Sequence, residues 1–212
     1  AALRGTLVHA VLAQFTKKFP HTRLPDDALS KLLDLGRGIF SAYMSQPSVR
    51  YFWWPRFEII ASWIIEEESR RRQTGVIETH AEIDGKIHLQ GPNGLVTLTA
   101  RADRLEKYND QSWRVIDYKT GTVPSLKFVD EGFRNQLSVE ALIAAEGGFD
   151  HAPAGAVAGL EYWLISGQRE QPASIKQVRK DGFDAAKMRS DLEVHVAAYD
   201  DKKTCYLSEP IP

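Results

Sequence analysis

The sequence predicts an α/β fold in which a mixed β-sheet is flanked by α-helices, and three observations carry that prediction. Apolar residues recur at helical spacing through the first third of the chain. After Gly75 the texture changes to short β-type runs separated by turn residues. Within a later run, Val115 and Ile116 are adjacent and both apolar, as in a central strand covered on both faces.

Leu3, Leu7, Val11, Leu12 and Phe15, widened by Val8, predict an amphipathic helix over about residues 3 to 18. A second helix is expected to begin near Pro25, where Pro25-Asp26-Asp27 supplies a first-turn proline and acids, and to run through Leu29, Leu32, Leu33, Leu35 and Ile39. Phe57, Ile60, Ala61, Ile64 and Ile65 mark a third, at about 55 to 72. Strands are expected at Val76–Ile83, Ile87–Gln90 and Leu95–Ala102, with Gly91-Pro92-Asn93-Gly94 as a turn, which reads as an antiparallel meander. Trp113–Tyr118 is a further strand. A helix at about 131 to 146, strands at 156 to 165 and near 173 to 178, and a final helix at about 182 to 199 complete the pattern. No linker divides it, so one domain is expected, with a helical part over about 1–74 and the sheet with its remaining helices over about 75–200.

Composition narrows the class. At 212 residues and 43% hydrophobic content the chain can bury a proper core, and no apolar run approaches the ~20 residues of a membrane span. A soluble chain without a membrane partner is expected. Its start, Ala1-Ala2-Leu3-Arg4-Gly5, lacks an initiator Met and a signal-peptide pattern, and its end, Ser208-Glu209-Pro210-Ile211-Pro212, reads as an extended tail, so the chain reads as a fragment of something longer. The single cysteine, Cys205, cannot build a disulfide, a cysteine-rich zinc site or a four-cysteine iron–sulfur cluster within the chain, and fits a reducing, cytoplasmic setting. A net charge of -1 argues against gripping nucleic acid by bulk electrostatics. Lys17-Lys18 and Arg70-Arg71-Arg72 read as solvated helix faces.

The sharpest local feature is Val115-Ile116-Asp117-Tyr118-Lys119-Thr120-Gly121, a strand that ends in an acid and a base two residues apart and therefore on one face. By itself such a pair is more commonly a local ion pair. The preceding run also ends in an acid, Asp103, about ten residues of hairpin away. In a strict hairpin the two acids would sit at opposite ends; convergence requires Asp117 to lie well into its strand or the pair to bend. Two converging carboxylates suit Mg²⁺, which takes few protein ligands and keeps its waters. Phosphodiester hydrolysis uses such an ion, with Lys119 holding the attacking water or offsetting charge in the transition state. No G-x-S-x-G elbow, H-E-x-x-H helix, P-loop or dinucleotide fingerprint is present.

These residues resemble the PD-(D/E)XK nuclease superfamily, and within it the RecB-type branch. Asp117-Tyr118-Lys119-Thr120-Gly121 resembles the D-Y-K-T-G motif, and Ala102-Asp103-Arg104 resembles G-R-x-D-R with Ala100 where Gly is usual. Gly5-Thr6-Leu7-Val8-His9 is similar to G-x-x-x-H, and Gln136-Leu137 to the opening of Q-L-x-x-Y, with Glu140 in place of Tyr. The motifs run in the family's order over about residues 5 to 140. The remainder resembles most the C-terminal nuclease domain of AddB, partner of the AddA helicase-nuclease in recombinational repair of double-strand breaks.

The resemblance implies a restriction-endonuclease-like core and a bacterial, cytoplasmic exonuclease dependent on Mg²⁺, with Mn²⁺ able to substitute. It implies single-stranded DNA delivered by an AddA-like helicase-nuclease subunit. His9, Asp103, Asp117 and the backbone carbonyl of Tyr118 would hold the metal, and Asp103, Asp117, Lys119 and Glu82 would carry catalysis. Glu78 and Asp84 are rivals of Glu82, and an edge strand facing solvent explains all three equally well. Gln136, Arg104 and Thr120 would contact DNA or support the site. Glu140, as an acid on the same helix face, is expected to repel phosphate. Many AddB proteins carry a four-cysteine iron–sulfur cluster, and Cys205 alone points to a type without it. A nuclease-like scaffold kept for DNA or subunit binding, and a stand-alone endonuclease, are the competing readings.

Overall fold

Leu7, Val8, Val11, Leu12 and Phe15 are all buried, so the first predicted stripe faces a core as its spacing requires. The computed structural model describes residues 2–21, 23–122, 136–179, 183–201 and 204. Cys205 lies outside them, as do residues 131–135, the predicted first turn of the helix at 131. Helix α1 spans Ala2–Lys18, α2 Ala28–Phe40 and α3 Trp54–Gln73. The second begins three residues later than Pro25 suggests: Ala28 N–H donates to the Pro25 carbonyl at 3.0 Å, so the proline closes a preceding turn. A short 3₁₀ turn at Ser41–Tyr43 and a π-helical segment at Val49–Trp53, neither predicted, lead into α3. Where α2 crosses α3, a Cβ on Gly36 would stand 2.4 Å from Cε1 of Phe57, so the bare backbone is what admits the ring.

Strands β1 (Val76–Gly91) and β2 (Gly94–Tyr108) form one long hairpin, not the broken meander expected. Asp84, Gly85 and Lys86 do not interrupt it; they pair with Arg101, Ala100 and Thr99 in unbroken register. Backbone pairing is indifferent to polar side chains that project into solvent, so polarity there marks the exposed face and not a strand end. Strand β3 (Trp113–Lys119) pairs antiparallel with β2. It pairs parallel with β4 (Val157–Ile165), which requires the crossover containing helix α4 (Gln136–Ala145). Strand β5 (Ala173–Arg179) is antiparallel to β4, and helix α5 (Ala185–Asp200) follows, its N-cap Asp184 accepting from Lys187 N–H at 2.9 Å. The sheet order is β1-β2-β3-β4-β5.

Helices cover both faces. On one side α1–α3 pack against Ile116, Tyr118, Trp163 and Ile165. On the other, Leu137 and Leu142 of α4 pack against Leu105, Trp113, Val115 and Tyr162. Val115 and Ile116 thus serve different cores, as two adjacent apolar residues of a central strand predict. The resulting α/β architecture, a mixed five-stranded sheet between helices, is that of a restriction-endonuclease-like core. No helix among the described residues is long and apolar enough to cross a membrane.

Of Arg70-Arg71-Arg72, only Arg70 keeps the solvated face expected of the run. Arg71 is buried and bonds Glu106 at 2.8 Å and Glu161 at 2.9 Å, while Arg72 pairs with Glu68. The arginine run lies where α3 crosses the sheet, and each buried guanidinium there is matched by a carboxylate from β2, β4 or α3 itself.

Candidate active site

The site forms where four elements, α1, β1, β2 and β3, meet at one end of the central strands. Register decides it. Arg104 pairs with Ile116 and Leu105 with Val115, and the same antiparallel register carried one step further sets Asp103 opposite Asp117. The hairpin problem disappears because β2 does not end near Ala102; it continues to Tyr108, which leaves Asp103 well inside the strand. The recorded ladder stops at Arg104–Ile116, and the Asp103 carboxylate takes over by accepting the Tyr118 N–H at 2.9 Å. That bond fixes the carboxylate at the point where β2 and β3 part.

Helix α1 brings His9, whose Nδ1 lies 3.5 Å from Asp103 Oδ2 and whose ring meets Tyr118 edge-on at 5.8 Å. Gly5, one turn earlier, lets the helix settle on the end of β3: a Cβ there would lie 3.0 Å from Thr120 Oγ1. Arg4 donates to the Thr120 carbonyl beside it. Strand β1 brings Glu82, flanked by the pairs Ala81–Arg104 and Ile83–Ala102 and so facing Asp103. Its φ of 48° is a left-handed conformation that costs a non-glycine residue of order 1 kcal/mol or more. Neither Glu78 nor Asp84 joins this group; Glu78 lies by His80, and Asp84 is 3.8 Å from Arg101.

His9, Glu82 and Asp103 each offer a ligand atom, all within 4.8 Å of one another, and all three side chains are partly open to solvent. Two carboxylates and an imidazole at this spacing fit a divalent cation that also keeps water ligands. Burial lowers the affinity of His9 for a proton, but the bond and charge of Asp103 and the charges of Asp117 and Glu82 outweigh it, and its pKa is raised. Asp117 stands outside the trio. Its buried carboxylate is bound by Lys119, whose Nζ lies 2.8 Å from Oδ1 and 2.6 Å from Oδ2. Burial raises the Asp117 pKa, Lys119 opposes this, and Asp103 adds to it. Tyr118 presents its backbone N–H to the site, while its ring is buried below it.

Of the two roles expected for Arg104, DNA contact is closed to it and support of the site remains: it is 1% exposed and bonded to Glu68, Glu106 and the Tyr118 hydroxyl. Its position in the motif serves the fold beneath the site. Glu140 does not confront phosphate with a charge. It is 1% exposed, accepts from Gln136 Nε2 at 3.1 Å, and burial, reinforced by the charges of Asp117 and Asp103, pushes its carboxyl up to about 8. In the metal-free chain this burial favours its protonated form near neutral pH. Arg101 was overlooked: it bonds Glu82 at 2.9 Å, and its place between Ala100 and Ala102 in the second motif was the available signal.

A mixed sheet with a carboxylate, a paired lysine and a histidine–carboxylate cluster at one end suits metal-assisted phosphodiester chemistry on an α/β domain. The model of the PD-(D/E)XK nuclease superfamily matches residues 1–205, and the chain belongs to that superfamily. Among curated proteins, an uncharacterized protein of Rickettsia bellii is 26% identical over 147 residues, and the uncharacterized protein RT0391 of Rickettsia typhi 26% over 149. Each match covers 69% of this chain and 17% of the relative, so the chain spans about a sixth of their length. A solved structure titled "Crystal structure of SSO0001" aligns over 91% of this chain and 74% of its own at 10% identity, with a TM-score of 0.37.

Proposed function

We propose that this chain is a Mg²⁺-dependent deoxyribonuclease, with Mn²⁺ able to substitute, that acts as the exonuclease part of an AddAB-type helicase-nuclease in recombinational repair of double-strand breaks. The observation that carries the nuclease reading is the meeting of His9, Glu82 and Asp103 within 4.8 Å at the strand end where Asp117 and Lys119 are ion-paired. Family membership supports the chemistry. The finer reading rests on the ordered RecB-type motifs, and on relatives in which the matched segment is 17% of a long chain, as suits a nuclease joined to other machinery.

His9, Glu82 and Asp103 would hold the cation, with Asp117 close enough to act electrostatically on His9 and Asp103. When bound, the cation supplies a Lewis acid for a phosphate oxygen and lowers the pKa of a water. Lys119 places its ammonium beside Asp117 at the open end of the strand, where it can orient a water or offset charge on a phosphate. Tyr118 N–H holds Asp103, and the strained Glu82 backbone turns a carboxylate toward the same point. Gln136, exposed at the start of α4, and Thr120, half-buried beside Lys119, are placed to meet the substrate strand.

End-labelled single-stranded and duplex DNA incubated with the chain in Mg²⁺, Mn²⁺ or EDTA tests this reading. Metal-dependent cutting that falls at least about 100-fold in Asp117→Ala is expected. Calorimetric Mn²⁺ binding that is equally strong in wild type and His9→Ala/Asp103→Ala, together with no cutting, would instead favour a nuclease-like scaffold.

A further inference from the structure

The π-helical segment Val49–Trp53 buries Val49 but turns the next two aromatic side chains outward, leaving Tyr51 64% and Phe52 65% exposed. Such π turns are rare and concentrate at functional sites. The two rings form one wall of an open groove of about 750 Å³, which Arg56, Glu58, Arg169 and Glu170 also line. Arg50 holds its guanidinium 5.5 Å from the centre of the Tyr51 ring. Arg56 and Arg169 enter no ion pair among the described residues. The groove opens at the same end of the sheet as the active site, because Lys119 pairs with Leu164 in the parallel β3–β4 ladder and Gly167, Arg169 and Glu170, which line the groove, follow the end of β4. Along this route Arg50, Arg56, Arg169 and Arg4 outnumber Glu58 and Glu170.

We infer that this groove is a binding track for single-stranded DNA leading to the nuclease site. Adjacent exposed aromatic faces stack on unpaired bases whatever their sequence, and unpaired guanidiniums beside them meet the phosphates. Duplex DNA hides its base faces and gains nothing from the rings. The track gives a chain of net charge -1 a local means of holding an acidic polymer. The inference deepens the nuclease reading and rests on it for direction, since the groove and the proposed site share the end of the paired strands β3 and β4.

The test is fluorescence anisotropy of a 5′-fluorescein-labelled twelve-residue oligothymidylate in EDTA, where no cutting interferes. Tyr51→Ala/Phe52→Ala is expected to weaken binding about tenfold or more, while Tyr51→Trp/Phe52→Trp retains wild-type affinity within about twofold. Leu95→Ser, which removes an equally exposed apolar side chain at the hairpin tip, serves as the surface control and is expected to bind as wild type does. Equal binding by wild type and the alanine pair, or no binding by wild type, overturns the inference and leaves the rings to a protein partner. A chain that cuts DNA yet binds it independently of the rings sinks the track and spares the nuclease. A chain that binds through the rings but cuts nothing does the reverse.

Discussion

Glu140 and Asp117 are carboxylates whose burial raises both pKa values, and they are offset differently. Lys119 stabilises the charge on Asp117, whereas among the described residues Glu140 accepts a hydrogen bond only from the neutral Gln136, and burial pushes its pKa up to about 8. In the unfolded chain Glu140 titrates near 4.5, so between that value and about 8 the folded state holds a proton the unfolded state has released. Stability contributed by the neutral form is therefore present at low pH and drains away as pH rises through this window. Glu140→Gln is expected to flatten that dependence in the metal-free protein. Its stability relative to wild type should improve between pH 5 and pH 8.5 by on the order of a few kcal/mol, read by urea denaturation. An unchanged difference at the two pH values would show that Glu140 ionises normally. Asp103, Asp117, Lys119 and His9 were legible from motif spacing alone. The burial of Glu140 and Arg104 was not, since no local pattern distinguishes an acid or arginine facing DNA from one facing a neighbouring helix.

At the scale of elements, contact between bare backbone and a neighbour sets where helices sit. Gly36 admits Phe57, and the ring in turn stacks near Phe40 at 5.3 Å. Gly36→Ala would improve helix propensity by up to about 1 kcal/mol, yet it drives a methyl to within 2.4 Å of Cε1. Overpacking outweighs propensity, so the variant should lose about 1–3 kcal/mol in thermal or urea unfolding. A gain in stability would mean that α2 and α3 slide apart freely. Element type was readable along most of the chain because each stripe has one period, 3.6 or 2 residues. Strand length was not: the break expected at Asp84-Gly85-Lys86 and the end expected after Ala102 both vanish once β1 and β2 pair. That error matters, since the true length of β2 is what brings Asp103 opposite Asp117.

Across the molecule, a buried ionic network ties α3 to the sheet directly beneath the site. Arg71 bridges Glu106 of β2 and Glu161 of β4, Arg104 joins Glu68 to Glu106, and both guanidiniums lie over the Trp163 ring, at 5.1 and 5.5 Å. Removing Arg71 leaves Glu106 with Arg104 alone and Glu161 with the half-buried Arg114 alone, so two buried carboxylates are under-compensated and Arg71→Met is expected to cost about 3–5 kcal/mol. Adding Glu106→Gln and Glu161→Gln should recover part of that loss, because fewer naked charges remain. If Arg71→Met alone costs less than about 1 kcal/mol in denaturant titration, water reaches the network and the account fails.

Sequence alone determined the α/β class, the place of Asp117 and Lys119 at the end of a doubly covered strand, and the kinship to PD-(D/E)XK nucleases. Each of these is written in local period or spacing, which a chain carries before it folds. The tertiary structure decided that Glu82, not Glu78 or Asp84, meets His9 and Asp103, that Glu140 is buried, and that Arg71 and Arg104 are internal. Those outcomes depend on register and on which surface covers a side chain. Both are fixed by pairings between residues far apart in sequence, where burial, and not residue type, sets the charge a group can bear.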